Sequence, residues 1–167
     1  MFYGDYIDSP TSPLFAFGHG LSYSTFAYSD LIVQTKSTTE PIEVFIEVQN
    51  AGERAGDEVV QLYYRDEVAS VARPKRMLLG FARLSLTPGQ ACRVIFTVHP
   101  SRFAFYDPHM RFVTEPGAFT FSIGASSADI QAEQTVTLDG QVVEYWQQEV
   151  VDTQVEVAPL SHETRRS

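Results

Sequence analysis

The sequence has 167 residues and only one cysteine, Cys92, so no internal disulfide can form and any core must hold by packing alone. No apolar run approaches the roughly 18 residues that a membrane-spanning helix needs. The first residues, MFYGDYIDSPTSP, lack the basic and apolar regions of a signal peptide. None of these absences assigns a compartment, so the localisation stays unknown.

Basic residues are also scarce, since 12 Lys and Arg stand against 21 Asp and Glu and give a net charge of −9. Nucleic acids and anionic membrane surfaces are both recognised through Lys and Arg, so the sequence argues against either partner. Hydrophobic residues make up 44% and charged residues 20%, which excludes wholesale disorder. The length predicts one domain with attachments.

Motifs that carry chemistry are missing as well. The four histidines stand in separate segments without the spacing of a zinc site, and there is no GxSxG, P-loop or GxGxxG motif. Cys92 is in phase with three apolar strand residues, which predicts a small buried side chain rather than a nucleophile. Carboxylates such as Asp57 and Glu58 fall at predicted strand ends, where we expect solvating charges. The sequence therefore predicts no catalytic residue, cofactor or metal.

Apolar residues that alternate with polar ones dominate the middle of the chain, as in Ile42, Val44, Ile46 and Val48. Such runs are separated by Gly and Pro and predict about seven short strands between residues 26 and 138. The runs are TFAYSDLIVQ, PIEVFIEVQN, EVVQLYYR, MLLGFARLSL, ACRVIFTV, AFTFSIG and AEQTVTL. They predict an all-β fold, an antiparallel immunoglobulin-like β-sandwich of the fibronectin type III kind.

Two segments flank the predicted sandwich of residues 26–140. Residues 1–25 are too rich in Gly and Pro for a regular element and too apolar for a free linker, which predicts a segment pressed against a neighbour. Residues 141–167 form a tail for which a short helix from Val142 to Val151, an extra edge strand and a docking arm all remain open. We expect disorder in its last seven residues.

Three long strings carry a resemblance to a known family. Residues 12–31 (SPLFAFGHGLSYSTFAYSDL) closely resemble the segment that enters the C-terminal domain of glycoside hydrolase family 3, the β-glucosidase and β-xylosidase group. The similarity continues through VQNAGERAGDEVVQLYYRDEVASVARPKRMLLGFARLSLTPGQ and FAFYDPHMRFVTEPGAFTFSIGASSADI. It covers residues 3–138 in order, whereas residues 141–167 have no clear counterpart.

The resemblance implies a fibronectin type III-like third domain whose enzyme hydrolyses terminal β-glycosides with two preceding catalytic domains. Those domains supply the nucleophile and the acid/base, so no family catalytic residue can be carried onto this sequence. The expected partner is the set of catalytic domains, in the same or a separately encoded chain. The residues expected to contact them are Phe15, Phe17, Gly18, Gly20 and Tyr23. Left uncovered, these aromatic side chains also predict self-association into a homo-oligomer.

The main functional hypothesis is therefore a non-catalytic structural module, inactive as an enzyme on its own. The alternative is a standalone carbohydrate-binding module, because Tyr and Trp rings stack on sugar rings. Its candidate residues are Tyr63, Tyr64 and Trp146, with Tyr106 as a further aromatic. Strand aromatics more often pack in a core, which weighs against the alternative.

Overall fold

A computed structural model describes residues 14–35, 37–146 and 150–160 of the chain. Within these ranges the chain forms eleven strands, all paired antiparallel, and a 3₁₀ turn at Pro100–Phe103. The strands are β1 (Phe26–Gln34), β2 (Ile42–Asn50), β3 (Gly56–Asp66), β4 (Met77–Leu86), β5 (Ala91–Val98), β6 (Phe105–Tyr106), β7 (Phe112–Thr114), β8 (Gly117–Gly124), β9 (Ile130–Leu138), β10 (Val143–Glu144) and β11 (Gln154–Pro159). None of the described residues forms a helix with the length and hydropathy to cross a membrane.

Two four-stranded sheets pack face to face, with strand orders β1-β2-β5-β11 and β4-β3-β8-β9. The seven predicted strands correspond to β1–β5, β8 and β9, and the predicted all-β sandwich is confirmed. The alternating residues of β2 and β5 face inward and are buried; Val44 opposes Phe96, and Val48 opposes Cys92. Burial raises the pKa of the Cys92 thiol, as expected for a small core side chain.

Strand β3 departs from simple alternation. Its inward residues Val60, Leu62 and Tyr64 are buried as predicted, but Gln61 and Tyr63 on the opposite face are buried too. The Gln61 side-chain amide donates hydrogen bonds to carbonyl oxygens of residues 18 and 125, which lie in segments distant in the sequence. These two distant segments therefore cover the outer face of β3, which local patterning assigns to solvent.

A small hairpin of β6 and β7, extended by β10, forms a third sheet that the sequence did not predict. Its turn is organised by Asp107, whose Oδ1 accepts hydrogen bonds of 2.9 Å from the backbone N–H groups of His109 and Arg111. These bonds hold the turn residue Met110 at a left-handed φ of 61°. Strands of two and three residues are too short to show a period of two.

The tail contributes strands to two sheets. β11 pairs with the edge of β5 from Gln154–Thr97 to Pro159–Cys92, so the edge-strand alternative describes this part of the tail. The helix alternative over 142–151 does not describe the residues that the structure covers there, because Val143–Glu144 pairs with β7 as a strand. The backbone groups at the free edges of β5 and β7 favour strand pairing over an isolated helix. Residues 161–167, for which we predicted disorder, lie outside the described residues.

Candidate interdomain junction face

Residues 14–25, here called the junction segment, run along one end of the sandwich and are held there by backbone contacts. The Phe17 carbonyl oxygen accepts a hydrogen bond from the Ser127 N–H at 3.0 Å, and the Thr25 carbonyl oxygen accepts one from the Ala51 N–H at 2.8 Å. Between these two points, the Gly18 carbonyl oxygen accepts from Gln61 Nε2 at 3.2 Å. The path of the segment is thus fixed by the sandwich itself.

Buried Asn50 ties the end of the junction segment to the loop after β2. Its Oδ1 accepts a 2.6 Å hydrogen bond from the Ser24 hydroxyl, and its Nδ2 donates 2.8 Å bonds to the carbonyl oxygens of Arg54 and Leu86. Asn50 is fully buried, and these partners satisfy both ends of its amide. The chain therefore enters β1 from a defined direction.

The two glycines of the junction segment differ in what they require. Gly18 has a φ of 77°, a conformation that favours glycine, and a Cβ at this position would overlap the side-chain amide of Gln61. Gly20 has no left-handed φ, and a Cβ there would meet nothing within 4 Å. The family resemblance singles out both residues, but only Gly18 has a conformational reason to be glycine in this structure.

The apolar side chains of the junction segment point away from the sandwich that holds their backbone. Leu21 and Tyr23 are 92% and 97% exposed, and Leu14, Phe15 and Phe17 are exposed as well. The Phe15 ring stacks on His19 with centroids 5.1 Å apart, which covers only one of its faces. Contiguous exposed apolar side chains of this kind mark interaction surfaces more often than chance.

Beside the junction segment lies a groove of about 690 Å³, here called the junction groove, between β1, β3 and the loop before β9. It is lined by Gly18, Gly20, Leu21, Ser22, Ser24, Thr25, Phe26, Tyr28, Asp57, Glu58, Val59, Arg83, Ala125, Asp129 and Gln131. Burial raises the pKa of the Tyr28 hydroxyl, and the negative charge of Glu58 raises it further. Partial burial likewise raises the pKa of the Glu58 carboxyl.

The expectation that Glu58 is a solvating charge at a strand end is therefore wrong. It occupies an inward-facing position of β3, opposite Leu84 of β4, at the end of the sandwich. There it is half-buried in the junction groove rather than facing open solvent. Asp57 fits the expectation better, since it is exposed and pairs with Arg83 at 2.6 Å.

The candidate sugar-stacking residues do not lie together. Tyr63 and Tyr64 are each 2% exposed, so neither ring offers a face to a ligand. We therefore no longer count either residue as a candidate for sugar stacking. The Tyr63 hydroxyl donates to Gln61 Oε1 at 2.6 Å, whereas the Tyr64 hydroxyl accepts from Arg73 at 2.7 Å. Both residues therefore pack in the core, as strand aromatics more often do.

Trp146 is 75% exposed and lines a second cleft of about 290 Å³ with Tyr106, here called the aromatic cleft. Phe112 and Arg111 contribute further walls, and the Tyr106 and Phe112 rings lie 5.3 Å apart. Sequence patterning singled out both Tyr106 and Trp146 but not their proximity, which depends on the pairing of β10 with β7. Among the described residues, no group of three or more His, Cys, Asp or Glu side chains is arranged to hold a metal ion.

Comparison with known proteins agrees with this geometry. Residues 58–127 match the family model of the fibronectin type III-like domain. The chain is 42% identical over 133 residues to thermostable β-glucosidase B of Acetivibrio thermocellus, covering 78% of this chain and 18% of that protein. It is 43% identical over 129 residues to a β-xylosidase of Formosa agariphila, covering 74% of this chain and 17% of that protein.

Solved structures show the same likeness in three dimensions. The structure of β-glucosidase 3B from Thermotoga neapolitana superposes with a TM-score of 0.75 at 32% identity, over 80% of this chain and 18% of that one. A β-glucosidase from Listeria innocua superposes with a TM-score of 0.74 at 32% identity, over 86% of this chain and 20% of that one. The chain thus spans about a fifth of the length of these relatives or less. It carries a fibronectin type III-like domain and resembles the C-terminal, non-catalytic domain of glycoside hydrolase family 3 enzymes.

Proposed function

We propose that this chain acts as the C-terminal structural module of a family 3 β-glycosidase and that its junction segment packs against the catalytic domains. The observation that carries the proposal is the contrast within the junction segment between a fixed backbone and exposed apolar side chains. In this proposal residues 1–25 are the junction, residues 26–140 the sandwich and residues 141–167 the tail. The catalytic domains belong to the same chain or to a separately encoded one.

The fixed backbone and the exposed apolar side chains of the junction segment both favour docking. Apolar side chains such as Phe17, Leu21 and Tyr23 each stabilise a complex by about 1.5–3 kcal/mol when fully buried. Ordering a segment on binding opposes that gain, but the hydrogen bonds of Phe17 and Gly18 have already fixed the backbone here. Phe15 adds a further apolar contact beside Phe17. The module therefore presents a preorganised apolar surface to its partner.

The relatives indicate the reaction of the whole enzyme. Proteins named β-glucosidase and β-xylosidase match this chain over about three quarters of its length. The whole enzyme in this proposal hydrolyses terminal β-glycosides, and the module contributes support rather than catalysis. We expect the purified chain to show no turnover of an aryl β-glucoside, and hydrolysis that survives repurification would contradict this assignment.

A chimaera tests the structural role directly. The region of Acetivibrio thermocellus β-glucosidase B that matches this chain is replaced by this chain, and hydrolysis is compared with that of the parent enzyme. We expect the chimaera to retain activity, whereas L21S and Y23S shorten its active lifetime on heating and leave the melting of the isolated chain unchanged. Equal behaviour of variant and unsubstituted chimaeras would exclude Leu21 and Tyr23 from the interface.

The isolated chain has the same apolar side chains uncovered, so we further propose that it self-associates. The state is read by size-exclusion chromatography with light scattering, and L21S and Y23S should shift the protein towards monomer. A monomer that binds no hydrophobic dye would contradict this proposal. Strand β11 serves as the comparison, because V155S and V157S remove partly exposed apolar surface outside the junction segment.

Carbohydrate binding is the second candidate, and the proximity of Tyr106 and Trp146 in the aromatic cleft favours it. Flat aromatic faces next to the polar groups of Arg111 and Glu144 suit an oligosaccharide. Titration with cello-oligosaccharides tests the idea, with W146A expected to abolish any binding. No binding at millimolar ligand would remove this function.

A further inference from the structure

The path of the junction segment shows on which side the chain enters the module. The Phe17 carbonyl oxygen accepts a hydrogen bond from the Ser127 N–H at 3.0 Å, in the loop between β8 and β9. The Gly18 carbonyl oxygen accepts from Gln61, on the outer face of β3. Leu14 precedes Phe17 by three residues and so lies within about 11 Å of it. The chain therefore enters on the outer side of the sheet β4-β3-β8-β9.

An apolar patch on β3 and β4 lies directly beside the junction segment. Phe81 is opposite Gln61 in the pairing of β4 with β3, one strand away from the residue that binds Gly18. Phe81 is 61% exposed, and Val59, the next outward residue of β3, is 37% exposed. Val59 and Leu21 line the same junction groove, which joins the patch to the apolar side chains of the junction segment. Phe81 and Val59 are here called the β3–β4 patch.

Charged side chains around the β3–β4 patch already have partners. Arg83, which is opposite Val59, pairs with Asp57 at 2.6 Å, and Arg76 pairs with Glu133 at 2.8 Å. A charge that is covered without a partner is strongly destabilising, whereas a paired charge is better tolerated. An apolar partner surface can therefore cover the patch without supplying counter-ions for these two arginines.

The outer side of the other sheet also carries apolar residues, but the start of the junction segment lies on the opposite side. Ile32, Phe45 and Ile95 stand in one row across β1, β2 and β5. Ile32 is 48% exposed, and the other two are partly exposed, so exposure alone does not choose between the two sides. The contacts of Phe17 and Gly18 do choose, because they place the entry of the chain beside β3.

We propose that the catalytic domains cover the β3–β4 patch with an apolar surface, with Phe81 as the central contact, and leave the outer side of β1, β2 and β5 free. Paired strands lie about 5 Å apart, so a surface that meets the junction segment at Gln61 also meets Phe81. This inference rests on the proposed function and specifies which face of the module the partner binds.

Cysteine labelling tests which side is covered. The single native cysteine, Cys92, is only 3% exposed, so an introduced exposed thiol can be labelled selectively. F81C and I32C are each treated with a maleimide in the isolated chain, in dilute solution, and in the chimaera with Acetivibrio thermocellus β-glucosidase B. Peptide mass spectrometry locates the label. F81C should react about tenfold more slowly in the chimaera than in the isolated chain, whereas I32C should react at equal rates in both.

Heat inactivation provides a second readout that does not depend on labelling. F81S should shorten the active lifetime of the chimaera by about tenfold, because the partner loses an apolar contact. It should leave the melting temperature of the isolated chain unchanged, since Phe81 is exposed there. I32S is the matched control, because it removes an exposed apolar side chain from the opposite side, and it should behave alike in both contexts.

The outcomes separate this inference from the proposed function. A chimaera with the unsubstituted module that folds without activity would overturn the proposed function itself. An active chimaera in which F81C reacts as fast as in the isolated chain would overturn only the covered β3–β4 patch. Protection of I32C, alone or to the same degree as F81C, would also overturn it, because the partner would then not select the side on which the chain enters.

Discussion

Gln61 on strand β3 holds the backbone of Gly18, donating a hydrogen bond from Nε2 to the Gly18 carbonyl oxygen at 3.2 Å. The same side chain accepts a 2.6 Å hydrogen bond from the Tyr63 hydroxyl through Oε1. Gln61 is only 4% exposed, so its amide is a buried polar group with its partners in place. One residue thus links the sandwich to the segment that we propose contacts the catalytic domains.

The substitution Q61L should destabilise the isolated chain by about 1–3 kcal/mol, because the buried partners of the amide lose their hydrogen bonds. It should also release the junction segment. The Ser127 N–H, which donates to the Phe17 carbonyl oxygen, reports this release through faster hydrogen exchange.

Gln49 offers a matched control for this substitution. Its Nε2 also donates to a backbone carbonyl oxygen, that of Gly89 at 3.1 Å, but the bond is exposed. Q49L should therefore change the free energy of unfolding by less than about 0.5 kcal/mol. Unchanged exchange at Ser127 in Q61L would show that Gln61 does not hold the segment.

A second prediction separates the two glycines of the junction segment. G18A combines a left-handed backbone with overlap against Gln61, and should cost about 1–3 kcal/mol while displacing the segment. G20A meets no atom within 4 Å and should be neutral or slightly stabilising, since alanine restricts the unfolded chain. Chemical denaturation of both variants checks the difference, and equal stabilities would contradict the Gly18 geometry.

A third prediction concerns Arg73, whose guanidinium joins two layers of the fold. Its Nη2 donates to the Tyr64 hydroxyl at 2.7 Å and to the Phe103 carbonyl oxygen at 3.3 Å, and the group lies 4.6 Å from the centroid of the Phe105 ring. R73K cannot reproduce these planar contacts and should lower the free energy of unfolding by about 1–3 kcal/mol. Urea denaturation gives the value.

Arg83 is the control for the arginine-to-lysine change, because its pair with Asp57 is largely exposed. R83K should shift stability by less than about 0.5 kcal/mol. A loss in R83K as large as that in R73K would show that the arginine contacts with Tyr64 and Phe103 are not specific.

Patterning predicted the sandwich because strands such as β2 and β5 bury one face and leave the other more exposed. The same reasoning assigned Gln61 to the outer face of β3, and its burial depends on the junction segment some 40 residues earlier. Likewise Glu58 sits at a strand end in the sequence, but it lines the junction groove together with Tyr28 of β1. The residues that make the candidate site are those whose surroundings come from distant segments, which periodicity does not encode.

The tail is a second case in which periodicity does not encode the surroundings of a segment. Burial hardly alternates along strand β11. Its inward residues Val155 and Val157 are still partly exposed, because the strand extends the sheet at its edge. Its structure comes from the unpaired edge of β5 rather than from its own pattern. The sequence of the tail alone is therefore compatible with all three alternatives, a helix, an edge strand and a docking arm.

We expect the acid stability of the hairpin β6–β7 to depend on Asp107. Burial of its carboxyl group opposes ionisation, but hydrogen bonds from the His109 and Arg111 backbone and the Arg111 guanidinium outweigh that effect. The pKa of Asp107 is therefore held below its ordinary value. Since the unfolded chain binds a proton more readily in acid, this group stabilises the fold above the ordinary pKa of aspartate, about 3.9.

That stabilisation should be fully present above about pH 5 and should be lost as the pH falls through the lowered folded-state pKa. D107N removes the charge, so it should be less stable than the unsubstituted chain at pH 7, and the difference should narrow as the pH approaches 3. Thermal melting followed by circular dichroism at pH 7, 5, 4 and 3 measures it. D152N changes a fully exposed side chain and should follow the curve of the unsubstituted chain. A constant difference between D107N and the unsubstituted chain at all four pH values would show that the ionisation of Asp107 does not stabilise the hairpin.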